Sequence, residues 1–252
     1  MTRAPFLIGL GLAALTAACA PSAAPPKAPA AAAVPAAPDQ AGEPPPRRAV
    51  THPAPPADFL SWVRDLDARQ GWLLAHRDGF WTPVLAGNET VGWNVAPGAG
   101  AVALLLDGDP LHAAGLDHDR LDPASWQHLS PGGERKAHSH HGPDGHRLVR
   151  FAAVNVPADR VETEPAQAIE TLLKARPELL GASPLTGRPA LVLPGGDGVE
   201  VGPGTLTFFL RLEPLQKAGL DPDRLKGWER VPAADGRPEM ITRTVAIPAR
   251  TG

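Results

Sequence analysis

Apolar side chains recur at helical spacing in two places along the chain, and each place is followed by segments typical of strands. The two stripes consist of Phe59, Trp62, Val63 and Leu66, and of Ala168, Ile169, Leu172 and Leu173. Steps of one, three or four residues bring such side chains to one face of an α-helix. The pattern therefore predicts two amphipathic helices, each opening one half of the region after residue 57.

Apolar and intervening positions alternate with period two after the second helix. The first set is Leu206, Phe208, Leu210 and Leu212, and the second is Thr205, Thr207, Phe209 and Arg211. Alternation of this kind is typical of a strand with one buried face. Apolar runs that end before Pro157 and before Pro248 predict a closing strand in each half.

An internal repeat relates the two halves. Residues 114–121 read AGLDHDRL and residues 218–225 read AGLDPDRL, with seven of the eight identical at an offset of 104. Such a repeat predicts two tandem copies of one module, at 58–160 and 161–252. We expect an α+β fold in which each small module has a mainly antiparallel sheet and short helices. A duplicated β-sandwich is the alternative.

The repeated element itself predicts helix caps. Gly115 and Gly219 suit the left-handed position that ends a short helix. Asp117 and Asp221 are then placed to cap the next helical turn. Paired aspartates also suggest a calcium loop, but Arg120 stands where such a loop needs another oxygen ligand, so capping explains the element better.

The N-terminus carries an apolar run after Arg3 that closes with Leu15-Thr16-Ala17-Ala18-Cys19. The run is too short to span a bilayer of about 30 Å. The segment resembles the lipobox of bacterial lipoproteins, which are cut before the cysteine by signal peptidase II and lipidated on its sulfur. This resemblance implies a signal peptide at 1–18, a lipid on Cys19 and, in a cell with two membranes, the periplasmic face of the outer membrane. An ordinary secretory signal is the alternative.

A proline- and alanine-rich linker is predicted at 19–57, which holds 12 prolines and 14 alanines. Such a composition cannot bury a core and favours extended polyproline conformations. We expect it to act as a spacer between the lipid and the folded modules.

Composition narrows the chemistry of the folded part. The net charge of −3, from 24 basic and 27 acidic residues, gives no basic surface for nucleic acid. Cys19 is the only cysteine, so a lipidated chain has no disulfide, no cysteine nucleophile and no thiolate metal ligand. The sequence contains no serine-hydrolase or zinc-protease motif, and no group of residues indicates catalysis.

Histidine is absent from the second module, since all nine histidines lie between His52 and His146. Four of them crowd into one stretch: His138, His140, His141 and His146. Clustered imidazoles bind Zn²⁺ or Cu²⁺ without any thiolate. The stretch therefore predicts a metal site in a loop longer than its counterpart in the second module, with a solvated loop as the alternative.

Tryptophan is also concentrated in the first module, which holds five of the six. An exposed row of them would stack on cell-wall glycan. Burial in the core is the competing interpretation. It is favoured for Trp62 by the helical stripe and for Trp126 by its repeat counterpart Trp228.

Together these features predict a cell-envelope lipoprotein whose paired modules act as a non-enzymatic binding or assembly scaffold. Its expected partners are the membrane, through the lipid on Cys19, and an envelope protein or the cell wall, but not nucleic acid. The alternatives are a periplasmic metal-binding lipoprotein that uses the histidine-rich loop, and a glycan-binding module.

Overall fold

The computed structural model describes residues 58–68, 74–77, 80–83, 89–130, 145–160, 165–234 and 236–247. The predicted signal peptide 1–18, Cys19, the linker and three of the four predicted metal ligands (His138, His140 and His141) lie outside the described residues. The elements below belong to one compact unit that spans residues 50–252.

The first half begins with a helix and continues with six strands. Its elements are α1 (Phe59–Ala68), β1 (Leu74–Arg77), β2 (Phe80–Pro83), β3 (Thr90–Asn94), β4 (Gly100–Asp107), α2 (Asp109–Ala113), a 3₁₀ turn (His118–Arg120), β5 (Trp126–Leu129), β6 (Arg147–Val154) and a 3₁₀ turn (Ala158–Arg160). The helix predicted from the first apolar stripe is thus present as α1.

The second half repeats this order of helices and strands. Its elements are α3 (Pro165–Ala175), a 3₁₀ turn (Pro177–Leu179), β7 (Leu180–Ala182), β8 (Pro189–Val192), β9 (Gly198–Gly202), β10 (Thr205–Arg211), α4 (Leu212–Lys217), a 3₁₀ turn (Pro222–Arg224), β11 (Glu229–Val231) and β12 (Met240–Ala246). The alternating run predicts β10, although Leu212 already belongs to α4.

Each half forms one six-stranded antiparallel sheet. The strand order is β1-β2-β3-β4-β6-β5 in the first and β7-β8-β9-β10-β12-β11 in the second, so the order is the same in both. The prediction of mainly antiparallel sheets with short helices is confirmed.

Strand register identifies equivalent positions in the two sheets. Val102 of β4 pairs with Ala152 of β6, whereas Leu206 of β10 pairs with Val245 of β12. Val102 and Leu206 are separated by the repeat offset of 104, so Ala152 and Val245 are equivalent and lie 93 residues apart. This register defines the matched positions used below.

The two halves share one hydrophobic core, in which α1 packs against α3. The apolar stripes predicted for these helices face that core: Phe59, Trp62 and Val63 are at most 4% exposed, as are Ala168, Ile169, Leu172 and Leu173. The side chain of Leu66 lies outside the described set. Full burial of each large apolar side chain contributes about 1.5–3 kcal/mol, so this shared core stabilises both halves.

Most tryptophans belong to the interior. Trp62, Trp93, Trp126 and Trp228 are each at most 8% exposed. The core placement predicted for Trp62 and Trp126 is confirmed, and these four side chains do not form an exposed stacking row.

The two copies of the repeated element contact each other. Asp117 donates its backbone N–H to the carbonyl of Ala218, and Asp221 donates to the carbonyl of Ala114, both at 2.8 Å. Each aspartate side chain also accepts the N–H two residues further on and so caps the 3₁₀ turn, where its position predicts a cap. The contact therefore has approximate twofold symmetry.

Two ion pairs cross between the halves with the same symmetry. Arg150 of β6 lies 2.7 Å from Asp197, and Arg243 of β12 lies 2.9 Å from Glu89 (Nε to carboxylate oxygen in each). The two acids directly precede β9 and β3, respectively. The Arg243 pair is a close charge contact rather than a hydrogen bond, since neither Glu89 oxygen has a hydrogen-bond partner among the described residues. Burial raises the pKa of Glu89, and Arg243 opposes that shift.

Candidate metal centre

Three histidines from three elements of the first half meet at one point. His112 lies on α2, His118 opens the following 3₁₀ turn, and His128 lies on β5. One ring nitrogen from each lies within 4.8 Å of those of the other two, and all three side chains are partly buried. We call these three residues the histidine triad.

The repeated element positions the triad. Leu111 of α2 is fully buried and orients its neighbour His112. The Asp117 cap holds the turn that carries His118, at an N–H to Oδ1 distance of 3.2 Å. His128 is fixed by the pairing of β5 with β6, where it stands opposite Leu148. Each imidazole is therefore attached to backbone that is already ordered.

His112 has one nitrogen engaged and one free. Its Nδ1 lies 3.0 Å from the carbonyl oxygen of Leu116, which can only accept, so Nδ1 carries the proton. Its Nε2 is buried and has no hydrogen-bond partner among the described residues. A metal-binding histidine typically donates its other N–H to a carbonyl or carboxylate in this way.

The other two triad members have similar partners. Nε2 of His118 lies 3.5 Å from a carboxylate oxygen of Asp119, and Nε2 of His128 lies 2.9 Å from Nδ1 of His146. If these contacts hold the Nε2 protons, Nδ1 of both His118 and His128 is left for a metal.

The protonation state of His128 favours metal binding. Burial, followed by the proximity of His118, His112 and His146, lowers the pKa of His128 to about 4. Its imidazole is therefore neutral at neutral pH, and a metal does not have to displace a proton from it.

The rings need to turn for all three to bind one ion. The His118 and His128 rings are stacked, with centroids 3.6 Å apart and an interplanar angle of 23°. The His112 ring stands nearly perpendicular to both, at 86° and 82°. Rotation about χ2 adjusts ring planes at low cost, because this torsion has broad minima in histidine.

The second half has different residues at all of these positions. The matched residues for His112, His118, His128 and His146 are Gln216, Pro222, Arg230 and Glu239. Arg230 and Glu239 form an ion pair where the first half has the His128–His146 contact. The scaffold thus brings these two positions together in both halves, but only the first half has imidazoles there.

A small depression opens beside the triad. Its volume is about 220 Å³, and it is lined by His118, Asp119, Leu121, Pro123, Trp126, Gln127, His128 and Leu148. A second depression of about 260 Å³ lies at the start of α1 beside β7 and β8, and Asp58 is its one ionisable residue among the described ones. Only the smaller depression adjoins a group of metal-binding side chains.

The sequence placed its candidate metal ligands in the same half as the triad but on a different set of residues. Of the predicted ligands, only His146 is described, and it contacts His128; His138, His140 and His141 lie outside the described residues. The triad was not predicted. Its signal lies in the repeat itself, since His112, His118 and His128 replace other residue types at matched positions.

No protein-family model, curated protein or solved structure matches this chain. In the part of the chain that the structure describes, every helix is too short or too polar to cross a bilayer. The interpretation of the site therefore depends on its own geometry.

Proposed function

We propose that this protein binds a divalent transition-metal ion, with zinc as the leading candidate, through His112, His118 and His128. The observation that carries the proposal is the convergence of one ring nitrogen from each of three histidines within 4.8 Å; one nitrogen of each ring also lies beside a carbonyl, a carboxylate or another imidazole. The cluster supports metal binding more specifically than it supports the general scaffold role expected from the sequence.

The donor set favours zinc and its neighbours in the first transition row. Imidazole nitrogen suits Zn²⁺, Cu²⁺ and Ni²⁺, whereas Ca²⁺ and Mg²⁺ need several oxygen ligands. Tetrahedral Zn–N bonds of about 2.0–2.1 Å set the nitrogens about 3.4 Å apart, so nitrogens spaced by up to 4.8 Å have to move slightly closer, which turning of the rings allows. Buried Nε2 of His112 would gain the partner that the described residues do not give it.

The proposed function also includes the location of the protein and the origin of its two halves. The protein is held by a lipid on Cys19 at the cell envelope, on the periplasmic face of the outer membrane where a cell has two membranes. Its halves are tandem copies of one module, an interpretation supported by the repeat and by the equal strand order. The first copy binds the metal, and the second copy stabilises the first.

Calorimetric titration of the full-length protein with Zn²⁺ tests the proposal. We expect sub-micromolar affinity, which His112→Gln weakens by more than about tenfold, the loss that even indirect partners of metal ligands cause. Glutamine is chosen because Gln216 is the matched residue of His112 in the second half. The control, Gln216→Ala, should leave the affinity unchanged.

A further variant separates the triad from the loop predicted by the sequence. The triple change His138→Ser, His140→Ser and His141→Ser should leave high-affinity binding intact. If this variant loses Zn²⁺ binding while His112→Gln retains it, the function belongs to the loop and the triad proposal is wrong.

A further inference from the structure

We propose that a metal held by the histidine triad keeps one coordination position open to the adjacent depression, and that this position takes a small imidazole-type ligand. This inference rests on the proposed function, because it requires the metal. It adds that the ion is an exchangeable binding centre rather than a closed structural site.

Among the described residues, three ligands converge, and this count leaves one position free on a four-coordinate ion. Zinc in proteins takes four ligands, and sites with three protein ligands retain water or another exchangeable group at the fourth. Among the described residues, one further histidine, His146, contacts the triad; it is hydrogen-bonded to His128 at 2.9 Å and so acts on the ring of that residue. The triad with this hydrogen bond intact therefore supplies three ligands.

The free position faces the depression because the other side of the triad is closed. Nε2 of His112 is buried, whereas the side chain of His118 is 31% exposed. His118 and His128 both line the depression. A ligand entering from solvent would therefore reach the metal past the exposed edges of these two rings, which turn when they bind the ion.

The size and walls of the depression define the ligand class. At about 220 Å³ it lies below the range of about 300–1,000 Å³ typical of pockets for drug-sized ligands, so it admits only a small molecule. Trp126, Leu121 and Leu148 give it apolar walls that suit a flat ring.

Its polar groups favour a neutral nitrogen heterocycle over an anion. Among the residues that the structure describes, the lining includes the carboxylate of Asp119 and the amide of Gln127 but neither lysine nor arginine. An imidazole places its unprotonated nitrogen on the metal, where it displaces water, and keeps its N–H to donate to one of these oxygens. A carboxylate ligand would instead face the charge of Asp119.

Cobalt substitution makes the fourth ligand visible. Imidazole added to the Co²⁺-loaded full-length protein should shift the visible absorption bands saturably, with Co²⁺ remaining on the protein through gel filtration. Gln127→Trp, which fills the mouth of the depression, should weaken this response at least tenfold without weakening Co²⁺ binding. Glu229→Trp changes the matched exposed position on β11 and should have no effect. Pro123→Trp, at another exposed wall position, provides a second blocking variant.

Three results would overturn the inference while leaving the proposed function in place. In the first, imidazole does not shift the Co²⁺ absorption bands. In the second, imidazole removes Co²⁺ from the protein. In the third, the imidazole response of Glu229→Trp equals that of both blocking variants. If the protein binds no Co²⁺ or Zn²⁺ at all, the proposed function fails first and this inference fails with it.

Discussion

Gly115 and Gly219 contact each other backbone to backbone where the two halves meet. A Cβ on Gly115 would lie 2.9 Å from the carbonyl oxygen of Gly219, and a Cβ on Gly219 would lie 2.8 Å from that of Gly115. Both residues also have positive φ, 96° and 97°. Glycine is therefore required twice at each position, by the backbone conformation and by the contact between halves.

Replacing either glycine should destabilise the protein through both effects. We expect Gly115→Ala to cost about 2–4 kcal/mol, of which the left-handed conformation accounts for about 1–2 kcal/mol. Gly98→Ala is the matched control, since Gly98 has φ of 76° but no atom within 4 Å of an added Cβ. Denaturant unfolding measures the difference; equal losses for the two variants would mean that the contact contributes nothing.

The buried Arg150–Asp197 pair should make a large contribution to folding. Both side chains are 4% exposed, and Asp197 also accepts the backbone N–H of Arg211 at 2.8 Å. Asp197→Ala leaves the Arg150 guanidinium buried without its counter-charge, which typically costs about 3–5 kcal/mol. Glu213→Ala breaks an exposed pair with Lys217 and should produce no measurable change in denaturant unfolding. A similar small effect for Asp197→Ala would show that water or other groups replace the pair.

The ion pair between α1 and α3 predicts a defined pH dependence. A hydrogen bond from Arg64, supported by one from Lys174, holds the pKa of Glu170 below its ordinary value of 4.5. A lowered carboxyl pKa stabilises the fold above pH 4.5, and this stabilisation is lost as the pH falls through the folded-state pKa. Glu170→Gln should therefore reduce stability at neutral pH by about 0.5 kcal/mol, because Arg64 is 54% exposed and water screens the pair.

Unfolding measured from pH 7 to pH 3 tests this prediction. The stability difference between wild type and Glu170→Gln should shrink below pH 4.5. Glu229→Gln, at an exposed strand position, provides the comparison for the loss of one carboxylate. A difference that stays constant with pH would contradict the assignment.

The sequence predicted the opening helices, one alternating strand, the closing strands and the repeat, but not how the two halves meet. Periodicity located α1, α3 and β10, because each buries one regular face. The contact between Gly115 and Gly219 depends on the packing of distant segments, which no local pattern encodes. The register of the closing strands also needed the structure, since it depends on which residues pair across β4–β6 and β10–β12.

The candidate metal centre depends even more on contacts between distant segments. The prediction selected His138, His140 and His141 because they are close in sequence. The residues of the triad instead come from α2, a 3₁₀ turn and β5. Their spacing of six and ten residues fits no single helix face, and 17 residues exceed the usual length of one strand. Only the fold of the module brings them together, although comparison of the two copies would have singled out the same positions.

Exchanging one pair of side chains between the halves should remove metal binding and preserve the fold. His128→Arg combined with His146→Glu installs in the first half the ion pair that Arg230 and Glu239 form in the second. Without metal, we expect the double variant to unfold near the wild-type Tm, because the scaffold already accommodates that pair at matched positions. Zn²⁺ at 100 times Kd should stabilise the wild type by about 2.7 kcal/mol, which raises Tm by about 5–10 °C for a protein of this size.

The double variant should show no such shift in a thermal melt with Zn²⁺. The reverse exchange, Arg230→His with Glu239→His, should gain no comparable stabilisation, since Gln216 and Pro222 supply no further imidazoles in that half. A Zn²⁺-induced shift of equal size in wild type and in His128→Arg/His146→Glu would place the metal elsewhere. Such a result would rule out the triad as the binding site even if the protein binds zinc tightly.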